Sequence, residues 1–488
     1  MLGKRVKRLV PALGTLLILF LVAEVFRRGY LTVSSVTSIR PISKVENTMS
    51  QEEHTVPQEE NAVPQEENHI PKGSDGNGQN LITIPPPIPV PKDDFGRLDE
   101  DMAKRYRQVF SASMADTKYF SIEFGKQKAI NPSIIPHPSL ENTWIIVAQK
   151  QRSATQNSVW FAELVCNAVF KSDVLECIEP PTILPIAATS QDGGKCEGDL
   201  AFFSNSVGPH DARVFYGPNA PYTIFGSNSD FTCFGQWMQD FRMLVDWGYE
   251  AFPRNFFGKA TELQRPAPYA AIEKNWFIFW DSNERMYVHY DIYPKRGFAQ
   301  LDYRGMITQN LAPYAAPNDE RCMTKYMPKL PPELESIHQA TNSLSITLCR
   351  RGHVSCQPND FNTFILTIFQ HKTFYSFHSL YEPYAMLFKQ TSPFEIYGIS
   401  KKPIWIHGRG KPGQGKKPEN LSPEASQSWS QTEMFYITSM NWKAHGQRYH
   451  GYIDDVLFIG FGIEDDQTAG IDIVAHDLLL DIGLCSVA

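Results

Sequence analysis

Residues 273–294, EKNWFIFWDSNERMYVHYDIYP, leave this chain few ways to fold. Trp276, Phe277, Ile278, Phe279 and Trp280 form an unbroken aromatic and β-branched run. Asp281–Asn283 supply turn residues, and Met286–Ile292 alternate apolar and polar side chains. Bulky side chains in series favour extended backbone, and a period of two turns one face of the second segment onto a core. The stretch therefore reads as two short strands and a turn. Immediately ahead stand Glu273, Lys274 and Asn275, a carboxylate, an ammonium and an amide at the mouth of a buried strand. A surface ion pair ahead of a hairpin explains them equally well until the rest of the chain is considered.

The same organisation recurs. Asn131-Pro132-Ser133 precedes the apolar segments Ile134–Pro136 and Trp144–Ala148. His210-Asp211-Ala212-Arg213 precedes Val214–Tyr216 and Tyr222–Phe225. Phe364–Phe369 is followed by His378, Tyr381, Glu382 and Tyr384, then by Ala385–Phe388 and Glu395–Ser400. Phe435–Ser439 leads to His450, Asp454 and Asp455, then to Val456–Phe461. Five strand groups at intervals of about 60–80 residues, each delivering polar residues to a common place, predict an all-β, five-bladed β-propeller. A pair of β-sandwiches is the alternative that periodicity leaves open. A helical lead-in is expected near Asp99–Ser111, and long helical patterns between the strand groups are few, the clearest being Phe234–Trp247. With 42% hydrophobic and 12% aromatic residues, the chain has the material for a large core, and its net charge of −7 gives nucleic-acid binding no electrostatic support.

Ahead of the strand groups the character changes. Residues 1–8 carry Lys4, Arg5, Lys7 and Arg8, and residues 9–26 are apolar apart from Thr15 and Glu24. About 18 apolar residues just suffice to cross a bilayer, and the basic flank orients such a helix with its N-terminus in the cytoplasm. A cleaved signal peptide is the competing reading. Residues 27–92 form an acidic, proline-rich stalk in which QEEHTVP, QEENAVP and QEENHIP repeat. Proline closing each heptad forbids a coiled coil. The expected layout is a single-pass type II membrane protein, with residues 93–488 in the lumen of the Golgi or another secretory compartment. All eight cysteines follow the stalk, and none forms a C-x-x-C pair. They are expected in disulfides, Cys166/Cys177 and Cys349/Cys356 being plausible local bridges, and no metal or cofactor is expected. Asn420-Leu421-Ser422 is the single glycosylation sequon.

NPSII followed by WIIVAQ, then PHDARVF, EKNW–HYDIYP and the C-terminal GYIDDVLFIGFGIEDD resemble a group of five-bladed propellers acting on carbohydrate. The group includes β-mannoside phosphorylases and hydrolases and their glycosyltransferase relatives. With the N-terminal anchor, HYDIYP and YHGYIDDVLFIGFGIED look most like the fungal β-mannosyltransferases, over roughly residues 120–486. That resemblance implies an inverting transfer of mannose from GDP-mannose to a glycan acceptor. Asp211 and Arg213 stand where the group often has Asp-Pro-Arg, although Ala212 replaces the proline. Glu273, Lys274 and Asn275 match the polar triplet of the third blade. Asp454 and Asp455 match the acidic approach to the last blade, and Glu464, Asp465 and Asp466 match its following turn.

An inverting transfer needs a base for the acceptor hydroxyl and cations for the departing diphosphate. Asp211 is the first candidate for the base, then Glu273, with Asp454 third. A salt bridge or a turn cap would equally account for each. Arg213 and Lys274 are candidates for phosphate contact. Asn131, Asn275, His210, His378, Asp455 and Asp465 are candidate substrate contacts. His289 and His450 fit hydrogen-bond networks as readily, and Trp276, Trp280, Tyr287 and Tyr384 fit the core as readily as a sugar face. Asp99-Glu100-Asp101, the one Asp-x-Asp, falls on the helical lead-in. Gly408–Lys417 reads as a mobile basic loop. The alternatives are a glycoside hydrolase or phosphorylase on the same fold, for which two carboxyls set for acid and base work would speak, and a non-catalytic sugar-binding propeller.

Overall fold

The computed structural model describes residues 96–485, apart from 153–159, 188, 190–194, 249–255, 332–334, 340, 376–377, 418–421, 423–425 and 427, and apart from the side chains of Asn205, Tyr375 and His378. All belong to one unit, Leu81–Ala488. The expected tail, anchor and stalk and the sequon at Asn420 lie outside the described residues. Among those residues no helix is long and apolar enough to cross a membrane, and the membrane reading is not carried further.

The fold is all-β, with its strands in five largely antiparallel groups, the first and fifth of which belong to one nine-stranded sheet. The first contains Ala129–Pro136, Trp144–Lys150, Glu163–Lys171 and Val174–Cys177. The second contains His210–Tyr216, Pro221–Asn228, Phe234–Asp240 and Thr261–Glu262, and the third Phe277–Trp280, Met286–Asp291 and Gly297–Gln300. The fourth is built on Leu344–Thr347, Thr363–Tyr375, His378–Lys389 and Ile396–Ser400. The fifth contains Phe435–Trp442, Val456–Ile463 and Gln467–Val474. The opening hairpin forms with Phe277 opposite His289 and Trp280 opposite Met286. Asp281 shapes its turn by accepting the Asn283 and Arg285 N–H groups at 2.9 and 2.8 Å.

Inner strands are buried on both faces, which is why they read as continuous apolar runs rather than as alternation. The same feature misleads over Phe234–Trp247. The expected helix there is a strand, Phe234–Asp240, and one short 3-10 turn, Phe241–Met243. An apolar run packed on both sides carries no period to tell the two apart. The lead-in helix spans only Glu100–Arg105, with the Asp99 carboxylate accepting the Met102 N–H at 2.9 Å, and gives way to a strand at Arg107. Asp99-Glu100-Asp101 is thus a helix cap and first turn.

The first strands close a ring through hydrogen bonds. The Val214 N–H donates to Ser133 Oγ (3.1 Å), joining the second group to the first, and Arg213 donates to Asn275 Oδ1 (2.6 Å), joining the second to the third. Ser343 Oγ donates to the Ile278 carbonyl (2.7 Å), and Asn342 Nδ2 to the Met440 carbonyl (2.8 Å). Ser439 Oγ donates to the Pro132 carbonyl (2.9 Å), returning from the fifth group to the first.

A second set of bonds fixes the heads of these strands. Gln149 Oε1 accepts the Asp211 N–H (3.0 Å), Gln236 Oε1 accepts the Trp276 N–H (3.2 Å), and Gln370 holds both the N–H (3.0 Å) and the carbonyl (3.1 Å) of Ile437. Each is an amide of one group gripping the head of the next. Three heads are bulged, between Ile130 and Ser133, His210 and Arg213, and Ile437 and Ser439, so their backbone groups lack ladder partners. An amide side chain supplies a donor and an acceptor together.

Phe277, Phe279, Phe298, Phe388 and Phe394 sit between the third and fourth groups, each at most 1% exposed. Burial of each contributes about 1.5–3 kcal/mol. Phe120–Glu123 joins Gln467–Val474 of the fifth group on one side and Val174–Cys177 of the first on the other. Ile482–Leu484 lies on the outer edge of the fourth group. The cysteines pair as Cys166–Cys177, Cys196–Cys233, Cys322–Cys485 and Cys349–Cys356, so both suggested local bridges form.

Candidate functional site

Three polar residues occupy the heads of the first three groups in left-handed backbone: Asn131 (φ 58°), Asp211 (φ 51°) and Asn275 (φ 64°). Asn and Asp tolerate this region better than other residues with a Cβ, which accounts for the residue types at all three heads. The side chains meet at one end of the ring. Asn131 Nδ2 donates to Asp211 Oδ1 at 2.7 Å. Arg213, 4% exposed, donates to Asn275 Oδ1 at 2.6 Å and shares a hydrogen bond with the Tyr436 hydroxyl. Tyr436 packs on Tyr381, with ring centroids 4.7 Å apart.

His210, Asp211, Arg213, Gln236, Lys274 and Asn275, with Phe203 and Phe234, line a cavity of about 40 Å³. Several of these polar groups are unfinished. Asn131 Oδ1, His210 Nε2 and Arg213 Nε are buried and have no hydrogen-bond partner. Buried polar atoms are rarely left so, and three within one cluster mark a place built to meet something.

Burial, with Lys274 and Arg152 nearby, drives the His210 pKa down to about 4 against the opposing pull of Asp211. The imidazole is therefore neutral at neutral pH and lies flat against Phe161 at 3.6 Å between ring centroids. Burial, with Lys372, Lys274 and Arg213, likewise takes His338 down to about 4. Burial and then Lys274 lower the Lys372 ammonium. Burial raises both the Tyr381 and Tyr436 phenols, and Asp211 and Asp465 each add to the rise, so the two carboxylates flank one pair of tyrosines. Beneath the site Glu163 is fully buried. Its Oε1 accepts the Ala212 N–H at 3.2 Å, Oε2 has no partner, and burial raises its pKa well above the ordinary range. Gln149 and Glu163, opposite each other on neighbouring strands, thus hold the backbone on which Asp211 stands.

Of the residues singled out from the sequence, Asn131, His210, Asp211, Arg213, Lys274 and Asn275 come together here. Asp465 (φ 51°) stands at the same end, in the turn after Ile463. Glu273 is adjacent but spent: Arg265 grips its Oε1 through Nε at 2.9 Å and Nη2 at 2.7 Å, and the Ala270 N–H adds a third bond at 2.7 Å. Asp454 and Asp455 lie at the opposite end of the fifth group, about 26 Å away along the eight-residue strand Val456–Ile463. Asp454 accepts the Arg351 N–H, and Asp455 is bound twice by the Arg351 guanidinium. Burial opposes ionisation of Asp455, but bonds from Arg351, Tyr452 and Gln447 outweigh it and lower the pKa. His450, bonded to Thr347 at 2.8 Å, sits with them beside a cavity of about 1010 Å³. The side chain of His378 lies outside the described residues. His289 is a core histidine stacked on Phe277, and Trp276, Trp280, Tyr287 and Tyr384 are core. The basic loop is tied down, with Gly413 and Gly415 donating to the Gln431 carbonyl and Gly410 to Glu433.

Sequence reasoning missed Glu163, Lys372 and Tyr436, and gave Tyr381 a place in the fourth polar cluster but no role. Lys372, Tyr381 and Tyr436 ride on the long strands Thr363–Tyr375 and His378–Lys389 and on the head of Phe435–Trp442. Lysine and tyrosine set in otherwise apolar strand runs were the available signal.

No family model matches the chain, and no curated protein matches it in sequence. Among solved structures it is similar to a glycosyl hydrolase from Bacteroides ovatus, at a TM-score of 0.36 and 9% identity over 71% of this chain and 84% of that one. It is also similar to an exo-1,5-alpha-L-arabinanase from a bovine ruminal metagenomic library, at 0.31 and 7% over 71% and 92%. A third is the GH43 endo-arabinanase from Bacillus licheniformis, at 0.32 and 9% over 72% and 95%. These are glycosidases, not nucleotide-sugar transferases. On that finding the expectation of a β-mannosyltransferase with a GDP-mannose donor is corrected, and the glycoside hydrolase alternative fits them better. Likenesses this loose lend the site no residues and no roles.

Proposed function

We propose that the five strand groups are the blades of a five-bladed propeller that cleaves glycosidic bonds at the end of its ring where Asn131, Asp211 and Asn275 converge. The observation that carries this reading is the Asp211 carboxyl, set by a left-handed backbone among buried, unpartnered polar atoms in a cavity shared by several strand heads. Glycoside cleavage with inversion needs one carboxyl to protonate the leaving oxygen and one to activate water from the opposite face. Asp211 and Asp465, flanking Tyr381 and Tyr436, are the pair we assign to those tasks. Four disulfides, with no free cysteine among the described residues, support a secretory or extracellular setting.

One observation favours a binding module instead. At the three equivalent left-handed heads the side chains are Asn, Asp and Asn, and an amide transfers no proton. The experiment is the release of reducing ends from a panel of oligosaccharides by the full chain with its disulfides intact. Cleavage that Asp211→Asn and Asp465→Asn each reduce at least 100-fold is the expected result. Oligosaccharide binding without any cleavage by the native protein would leave the binding module.

A further inference from the structure

The cavity at the blade heads has two cations, Arg213 and Lys274, and one carboxylate, Asp211, in its lining. Arg213 is buried with its Nε–H unpartnered, and Lys274 stands beside it on the third group. Lys372 reaches the same end from the fourth group, its ammonium 5.9 Å from the centre of the Tyr381 ring. Neither lysine makes an ion pair or a side-chain hydrogen bond among the described residues. The two are close enough for Lys274 to hold the Lys372 pKa down. Facing them are the carboxylates Asp211 and Asp465, and Arg152 adds a further positive charge near His210. Elsewhere several buried or partly buried cations pair with carboxylates: Arg242 with Asp240, Arg265 with Glu273, Arg296 with Asp319, and Lys443 with Asp472. Three cations drawn to one end against two carboxylates leave positive charge in excess, which costs stability and persists where a ligand supplies the missing charge.

Size narrows the ligand. A cavity of about 40 Å³ admits two or three waters, or one compact oxyanion, but no sugar ring. An arginine nitrogen and an ammonium group match the oxygens of a carboxylate, sulfate or phosphate ester. We propose that the glycan recognised at this end carries an acidic group, which enters the cavity against Arg213 and Lys274, with Lys372 adding its charge nearby, while its sugar ring stays outside. This rests on the glycan-cleaving reading above and adds a substrate class to it.

The test is calorimetric titration of the full chain with a uronic acid-containing oligosaccharide, with its carboxyl-reduced neutral counterpart, and with inorganic phosphate. At least 10-fold tighter binding of the acidic oligosaccharide is expected. Raising the salt should erode that preference, and Lys274→Gln with Lys372→Gln should bring it close to unity. Lys274→Arg with Lys372→Arg should restore it, which separates loss of charge from misfolding. Equal affinity for the acidic and neutral forms overturns the proposal. So does a preference for inorganic phosphate over both sugars, which would make the cavity a site for a free anion. An acidic preference in a native protein that cleaves nothing leaves this inference standing and ends the cleavage reading. Cleavage indifferent to the acidic group does the reverse.

Discussion

Glu163 offers a quantitative test of how the floor of the site is built. Its carboxyl is fully buried, one oxygen takes the Ala212 N–H, the other has no partner, and burial raises its pKa well above the ordinary range. The folded protein therefore keeps this group protonated at pH values where the unfolded chain, with an ordinary glutamate pKa of about 4.3, has released the proton. Between those two pKa values the unfolded state binds one proton fewer than the folded state. Stability then falls as pH rises, by about 1.4 kcal/mol per pH unit from this group alone. Below about pH 4.3 both states are protonated and the loss is absent; above the folded pKa it is complete. Glu163→Gln keeps the oxygen that accepts from Ala212 and removes the titration. Urea unfolding at half-unit steps from pH 4 to 8 should give a native-minus-variant difference that slopes downward by about that amount per unit and then flattens. Groups common to both proteins cancel in the difference. The reasoning is refuted if the two proteins show parallel pH profiles.

Asp211→Asn should preserve stability within about 0.5 kcal/mol, whereas Asp211→Ala should lose about 1 kcal/mol or more, because alanine tolerates φ 51° less well; thermal melts of the pair decide this. Asp454→Asn should leave cleavage rates unchanged, since this residue sits at the far end of the ring on the Arg351 N–H; a fall of 10-fold or more would place the chemistry there instead. Arg296 and Asp319 are almost completely buried and 2.8 Å apart, so Arg296→Met should cost about 3–5 kcal/mol by stranding the carboxylate, measured by denaturant midpoint. Replacing Cys322 and Cys485 with serine opens a bridge spanning 163 residues and should cost up to about 5 kcal/mol; an unchanged midpoint would show that the bridge constrains nothing.

The third group was legible because its two strands are joined by an Asp-led turn and its second strand alternates, so local chemistry and packing agree. Phe234–Asp240 was not, since a strand covered on both faces loses the period that identifies it. The polar heads were visible as Asn131, Asp211 and Asn275 because they interrupt apolar runs. Their left-handed backbone is stabilised from neighbouring groups by Gln149 and Gln339, residues distant in sequence that no local pattern connects. Glu273 and Asp454 stood second and third behind Asp211 as candidates, and what separates them from the site is the guanidinium of Arg265 beside one and the opposite end of a strand for the other. Lys372 was hidden for the reason that matters most to the site: its neighbours Lys274 and Arg213 come from other groups, and only the closed ring brings them near.

The strand Phe120–Glu123 completes the ring by lying between the first and fifth groups, and its partner residues in Gln467–Val474 are roughly 350 positions later in the chain. At about 5–20 residues per second a ribosome takes roughly 20–70 s to make that stretch. Throughout that time Phe120 and Ile122 emerge with one edge paired to nothing, and the first group is missing its cover. The last strand, Ile482–Leu484, and the last cysteine, Cys485, arrive later still. The native ring therefore closes only once the fifth group has been made, and its rate of appearance will be set by how long the nascent first group can be kept from pairing elsewhere.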